Sequence, residues 1–133
     1  MSAPNIIHVQ GLYAAFGRGD IEHICKSCTG DVTWEVVGRP ADFPPFGRHI
    51  GPEGVEKFFQ TLVAAKTTTE FTPRAFHASG DRVFVEGHER STVNATGKTV
   101  DSEWLHVFTF EDGNLAGFRE FYDTAQYAEA AKT

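Results

Sequence analysis

Cysteine is scarce in this chain, and its scarcity limits the chemistry. Cys25 and Cys28 are the only two, spaced as CxxC. A zinc site needs about four ligands, and there is no second CxxC to complete one. A thioredoxin-like pair belongs at a strand-to-helix turn, whereas this pair falls inside a predicted helix, so reduced structural thiols are expected. No apolar run approaches the roughly 18 residues of a membrane span. The opening MSAPN lacks the basic and apolar regions of a signal peptide, and a soluble, cytoplasmic protein is expected. Runs of like charge are also missing: 18 acids lie scattered among 12 bases for a formal charge of −6, which argues against nucleic acid and membrane surfaces as partners. HExxH, GxSxG, GxGxxG and GxxxxGK do not occur, and the six histidines are dispersed, so no metal site and no cofactor are expected.

What is present suits one globular domain over 1–133, with 41% hydrophobic residues to build a single core. NIIHVQGLYAAFGRGD places Ile6, Val9, Leu12, Tyr13 and Phe16 at helical spacing and stops at Gly17 and Gly19. Asp20 is positioned to cap a short second helix, DIEHICKSC. GDVTWEVVG alternates as a strand, with Val32, Trp34 and Val36 on one face and Thr33, Glu35 and Val37 on the other.

Residues 38–51, GRPADFPPFGRHIG, combine three prolines with three glycines and predict a long loop. Phe43 and Phe46 make this loop a lid over a pocket. Pro52 then opens the clearest helix, with Val55, Phe58, Phe59, Leu62 and Val63 in one apolar stripe. From Thr67 the period changes to that of strands. Four antiparallel strands are predicted, separated by SGD, ATGK and EDGN, and Asp112-Gly113 is suited to a tight hairpin. An alanine-rich tail, DTAQYAEAAK, is helical by propensity.

Three helices and a strand followed by an antiparallel meander give an α+β domain. The expected form is a strongly curved, cone-shaped antiparallel sheet packed against three N-terminal helices, with a pocket for a small apolar or carbonyl-containing molecule between the layers.

The ordered set LYAAFGRGD, DVTWEVVG, GRHIGPEGVEKFF and HVFTFEDGNLAGFREFYDTAQY resembles the nuclear transport factor 2-like superfamily, in its SnoaL-like and ketosteroid isomerase-like branch. The resemblance implies the cone fold, a pocket and sheet-face association into a homodimer. Compared with ketosteroid isomerases, Glu35 falls near the general-base aspartate and His106 at the protonated aspartic acid of the oxyanion hole. The helix tyrosine of that site meets Leu12, with Tyr13 one position and about 100° away. Compared with limonene epoxide hydrolases, Glu89 and Glu120 fall on the two aspartates. Gly87 falls where an arginine stands, so the cation between the carboxylates is lost.

Strand parity supports a site independently of the resemblance. Val83, Val85, Gly87 and Glu89 share one face, as do Trp104, His106, Phe108 and Phe110, and as do Ala116, Phe118, Glu120 and Tyr122. An aromatic surface carrying one imidazole and two carboxylates is thus the expected interior. Its candidate catalytic residues are His106, Glu120 and Glu89, with Glu120 or Glu89 as base or proton shuttle and His106 holding or protonating a substrate oxygen. The candidate pocket lining is Trp34, Glu35, Phe46, Phe59, Trp104, Phe118 and Tyr122. Structural alternatives stand beside these roles: a core histidine satisfied by its neighbours, Glu89 on a solvated face or dimer contact, and Glu120 in a buried ion pair. An enzyme doing cofactor-free isomerisation, cyclisation or hydrolysis therefore competes with a non-catalytic binding or dimeric interaction module. In either case Phe84, Leu105, Val107 and Phe121 point outward as apolar content of a sheet-to-sheet dimer.

Overall fold

The computed structural model describes residues 2–133. Two helices come first, α1 (Ser2–Gly17) and α2 (Ile21–Lys26), followed by β1 (Cys28–Val36), β2 (Gly47–Ile50) and α3 (Gly51–Ala65). The meander then runs through β3 (Lys66–Ser79), β4 (Arg82–Val93), β5 (Thr99–Glu111) and β6 (Asn114–Tyr122), and α4 (Thr124–Ala130) closes the chain. The six strands form one sheet in the order β2-β1-β6-β5-β4-β3. This is the expected α+β cone: helices lie against one face of a curved sheet that does not close. One pair departs from the antiparallel expectation, because β1 runs parallel to β6, with Trp34 opposite Phe118 and Val36 opposite Glu120. The chain enters β1 from α2 and reaches β6 only after the whole meander, so its direction there is free of hairpin geometry.

Local signals set the element ends. The Asp20 carboxylate accepts from the His23 amide at 3.1 Å and caps α2. That helix is shorter than expected and stops at Lys26, leaving Cys28 to open β1. Asp112 and Gly113 both take positive φ, 50° and 82°, as the β5–β6 hairpin requires. In α3, Val55, Phe58 and Phe59 are buried, but Val63 is 74% exposed and lies outside the stripe assigned to it.

The segment 38–51 corrects a larger expectation. Its last part forms β2, paired with β1 from Thr33–Ile50 to Val36–Gly47. Phe43, Pro45 and Phe46 are buried, and Phe43 stacks on Tyr127 of α4 with ring centroids 5.0 Å apart. Phe46 meets Tyr122 edge-on at 5.9 Å. The loop is therefore a plug between the sheet and α4, since two phenylalanines gain more from burial in the core than from covering a solvent-filled mouth.

On β4 and β5 the side chains alternate as expected: Val83, Val85, Gly87 and Glu89 are buried, and so are Trp104, His106, Phe108 and Phe110. On β6 an irregularity opposite Thr109 and Phe110 shifts the pattern, so Leu115 is buried rather than Ala116, while Phe118 and Glu120 keep their inward aspect.

Candidate active site

A part-open cavity lies between α1, α2, α3 and the concave face of the sheet, walled mainly by Leu12, Phe16, Trp34, Phe59, Phe71 and Phe118. It offers about 70 Å³ to the centres of water-sized molecules. One water needs roughly 10–15 Å³ by that measure, so several waters or a small organic molecule fit. Its polar residues are Tyr13, Lys66, Thr68, Glu89, His106 and Glu120.

Register brings the first polar group together. His106 on β5 sits directly opposite Glu120 on β6, and its Nε2 lies 2.7 Å from Glu120 Oε2. On the other side of the ring, Nδ1 lies 2.7 Å from the hydroxyl of Tyr13 on α1. A carboxylate only accepts, so Nε2–H donates to Glu120. The neutral ring then accepts the Tyr13 O–H at Nδ1, and the imidazolium instead donates Nδ1–H to the Tyr13 oxygen. Burial alone would raise the Glu120 carboxyl, but the charge of His106, its hydrogen bond and the Lys66 ammonium outweigh burial and hold it below its ordinary value. Burial and the Glu120 charge push the Tyr13 hydroxyl far upward, so it stays a protonated donor.

Aromatic packing fixes the imidazole plane. Trp104 stacks on His106 with centroids 3.9 Å apart, Phe71 stacks on Trp104 at 5.0 Å, and Phe118 meets the imidazole edge-on at 4.8 Å. This stack explains Gly87. A Cβ at that position would run into the ring of Trp104, its register partner on β5.

The second carboxylate receives a cation from another strand. Lys66 is the first residue of β3, and its side chain reaches back along β4 to place Nζ 2.5 Å from Glu89 Oε2 and 3.0 Å from the Tyr127 hydroxyl. Tyr127 also donates to Glu89 Oε2, and Ser91 Oγ lies 3.3 Å from the same oxygen. Both carboxylates thus bond the protein through Oε2 alone, and Oε1 of each has no partner among the described residues. The indole N–H of Trp34 is buried without a partner. A bound molecule could satisfy any of these atoms.

Of the residues singled out from the sequence, His106, Glu89, Glu120, Trp34, Phe59 and Phe118 border the one cavity. Four others do not. Glu35 is turned to the outer face by strand alternation and pairs with Arg119 at 3.1 Å. Trp104 lies behind the His106 ring, Tyr122 stacks on Tyr127 at 4.7 Å, and Phe46 belongs to the loop plug. Sequence reasoning missed Tyr13 and Lys66. Tyr13 was legible in part, because a wide apolar stripe on α1 turns Leu12 and Tyr13 both inward. Lys66 carried no signal, since a lysine between a helix and a strand reads as solvent-exposed.

Cys25 and Cys28 are free. Burial pushes the Cys28 thiol up to about 12, helped by neighbouring Cys25, so it is a poor nucleophile. Among the described residues no group of three or more His, Cys, Asp or Glu is arranged to hold a metal, and no helix is long and apolar enough to cross a membrane.

Comparison with known proteins agrees with this architecture. The model of the SnoaL-like domain matches residues 9–118. A nuclear transport factor 2-like protein from Burkholderia xenovorans LB400 is 26% identical, with a TM-score of 0.90 over 99% of this chain and 98% of its own. A second such protein, from Burkholderia pseudomallei K96243, is 27% identical with a TM-score of 0.87 over the whole of both chains. TerC, co-crystallised with polyporic acid, is 27% identical with a TM-score of 0.83 over 96% of this chain and 97% of its own. No functionally curated protein matches the chain.

Proposed function

The chain belongs to the SnoaL-like domain family, and we propose that it binds a small, largely apolar, carbonyl-containing molecule and moves a proton on it without a cofactor, as an isomerase, cyclase or hydrolase. One observation carries this reading: the line Glu120–His106–Tyr13 reaches from a buried carboxylate, through an imidazole bonded at both nitrogens, to a hydroxyl on the cavity wall. With His106 as imidazolium, Nδ1–H donates to the Tyr13 oxygen and frees the Tyr13 O–H for a substrate oxygen. A proton taken from carbon by the free Oε1 of Glu120 or Glu89 leaves electron density on that oxygen, and Tyr13 holds or protonates it while His106 re-protonates Tyr13. Aromatic walls exclude water and strengthen these charges. That TerC was co-crystallised with polyporic acid supports an organic ligand for this chain.

The test is deuterium uptake from heavy water at the carbon next to the carbonyl of a ketone that binds. Uptake should fall about a hundredfold when His106 and Glu120 are both replaced by alanine in a variant that still folds. Unchanged uptake in that variant rejects the mechanism.

A non-catalytic dimeric module is the second reading, favoured by the outer sheet face. Phe84 lies opposite Val107 and Leu105 opposite Phe121, all half-buried in the single chain. Pairing this face with a second copy would bury them, and light scattering of the eluting peak should then give twice the 14.7 kDa chain mass. A cytoplasmic location is part of the same proposal, in keeping with the two free thiols, and fractionation of expressing cells tests it.

A further inference from the structure

Lys66 is the only buried lysine among the described residues, and proton transfer through Tyr13, His106 and Glu120 leaves it unused. Its ammonium borders the cavity, with Nζ held 2.5 Å from a carboxylate and 3.0 Å from a phenol hydroxyl. The rings of Tyr122 and Tyr127 flank it at 5.4 and 4.8 Å. An amine kept away from bulk water attacks a carbonyl once a base has taken its proton, and Glu89 is in direct contact to take it.

We propose that Lys66 is a covalent site for aldehydes and ketones, forming an imine with an apolar carbonyl compound that enters the cavity. The proposal rests on the reading above only in requiring that such a compound enters. Glu89 Oε2 takes a proton from the ammonium across their hydrogen bond. The freed nitrogen lone pair attacks the carbonyl carbon, and the C=O π electrons move to oxygen, which is protonated from the Glu89 acid. The nitrogen of this adduct passes its extra proton back to Glu89. The adduct hydroxyl is protonated by Glu89, with Tyr127 bridging the two, and leaves as water while the nitrogen lone pair closes C=N⁺. The balance is ammonium plus carbonyl gives protonated imine plus water, with no oxidant or reductant. The aromatic walls hold the imine away from bulk water, which slows its hydrolysis.

Incubation of the protein with benzaldehyde and cyanoborohydride, followed by intact-mass and peptide mass spectrometry, tests the site. The reductant serves only to trap the imine as a stable amine. Lys26, Lys57, Lys98 and Lys132 are exposed and act as internal controls in the same chain. Lys66 should be labelled about tenfold faster than any of them. Lys66→Arg keeps the positive charge but cannot form an imine, and should lose that adduct alone. Glu89→Gln should slow labelling at Lys66 and leave the surface lysines unchanged. Labelling spread over the exposed lysines with Lys66 unmodified overturns the proposal. Quenching of tryptophan fluorescence by benzaldehyde in the same samples separates the two readings. Quenching without labelling sinks the imine alone, whereas absence of both also counts against the cavity as a carbonyl site.

Discussion

Tyr13 and His106 satisfy each other's polar atoms inside an aromatic shell, so removing either hydroxyl or imidazole leaves the other short of a partner. Tyr13→Phe keeps the ring but strands His106 Nδ1. It should cost about 1–3 kcal/mol, read as a lower urea midpoint at unchanged slope. Glu120 gives a pH signature. Its folded carboxyl lies below the ordinary value of 4.5, so the fold prefers the ionised form. The stability this adds is complete above the unfolded value and is lost as pH falls through the folded one. Melting temperatures taken from about pH 6 down to about pH 3.5 should therefore converge for wild type and Glu120→Gln. A gap that stays constant would mean that ionisation of Glu120 contributes nothing to the fold.

At the scale of elements, the 38–46 segment and strand β4 make opposite demands on size. Phe46 fills space between Gly38, Phe43, Tyr122 and Tyr127, and Phe46→Ala should cost about 3–5 kcal/mol if the loop is a core plug. A swinging lid would lose almost nothing, so thermal unfolding of this variant decides between the two. On β4 the need is for emptiness. Gly87→Ala adds one methyl where the Trp104 ring lies and should cost about 1–3 kcal/mol. It should also disturb the imidazole stacked on that indole, so the near-ultraviolet tryptophan signal should change together with ligand binding.

For the whole molecule, all three tyrosines converge on one buried polar region, and each hydroxyl is raised, first by burial and then by the carboxylates Glu89 or Glu120. In the unfolded chain these phenols ionise near pH 10. The folded chain holds its protons longer, so stability falls as pH rises past that value. Alkaline titration should show almost no phenolate absorbance until the protein unfolds, and then a single cooperative rise. A gradual rise near pH 10 in the native protein would place at least one hydroxyl in solvent.

Period and punctuation determined much of this protein in the sequence alone. The three N-terminal helices, the four-strand meander, the Asp20 cap, the Asp112-Gly113 hairpin and the inward aspect of Glu89, His106 and Glu120 all follow from rules that act over a few residues. The tertiary structure decided what depends on distant segments meeting: the parallel β1–β6 pair, the plug formed by Phe43 and Phe46, and the partners of each buried charge. His106 is bonded across 93 residues to Tyr13, and Lys66 across 23 residues to Glu89 and 61 to Tyr127. The physical reason is the range of the forces. Backbone geometry and side-chain alternation repeat locally, whereas a desolvated charge takes whichever partner the packed layers bring within a few ångströms.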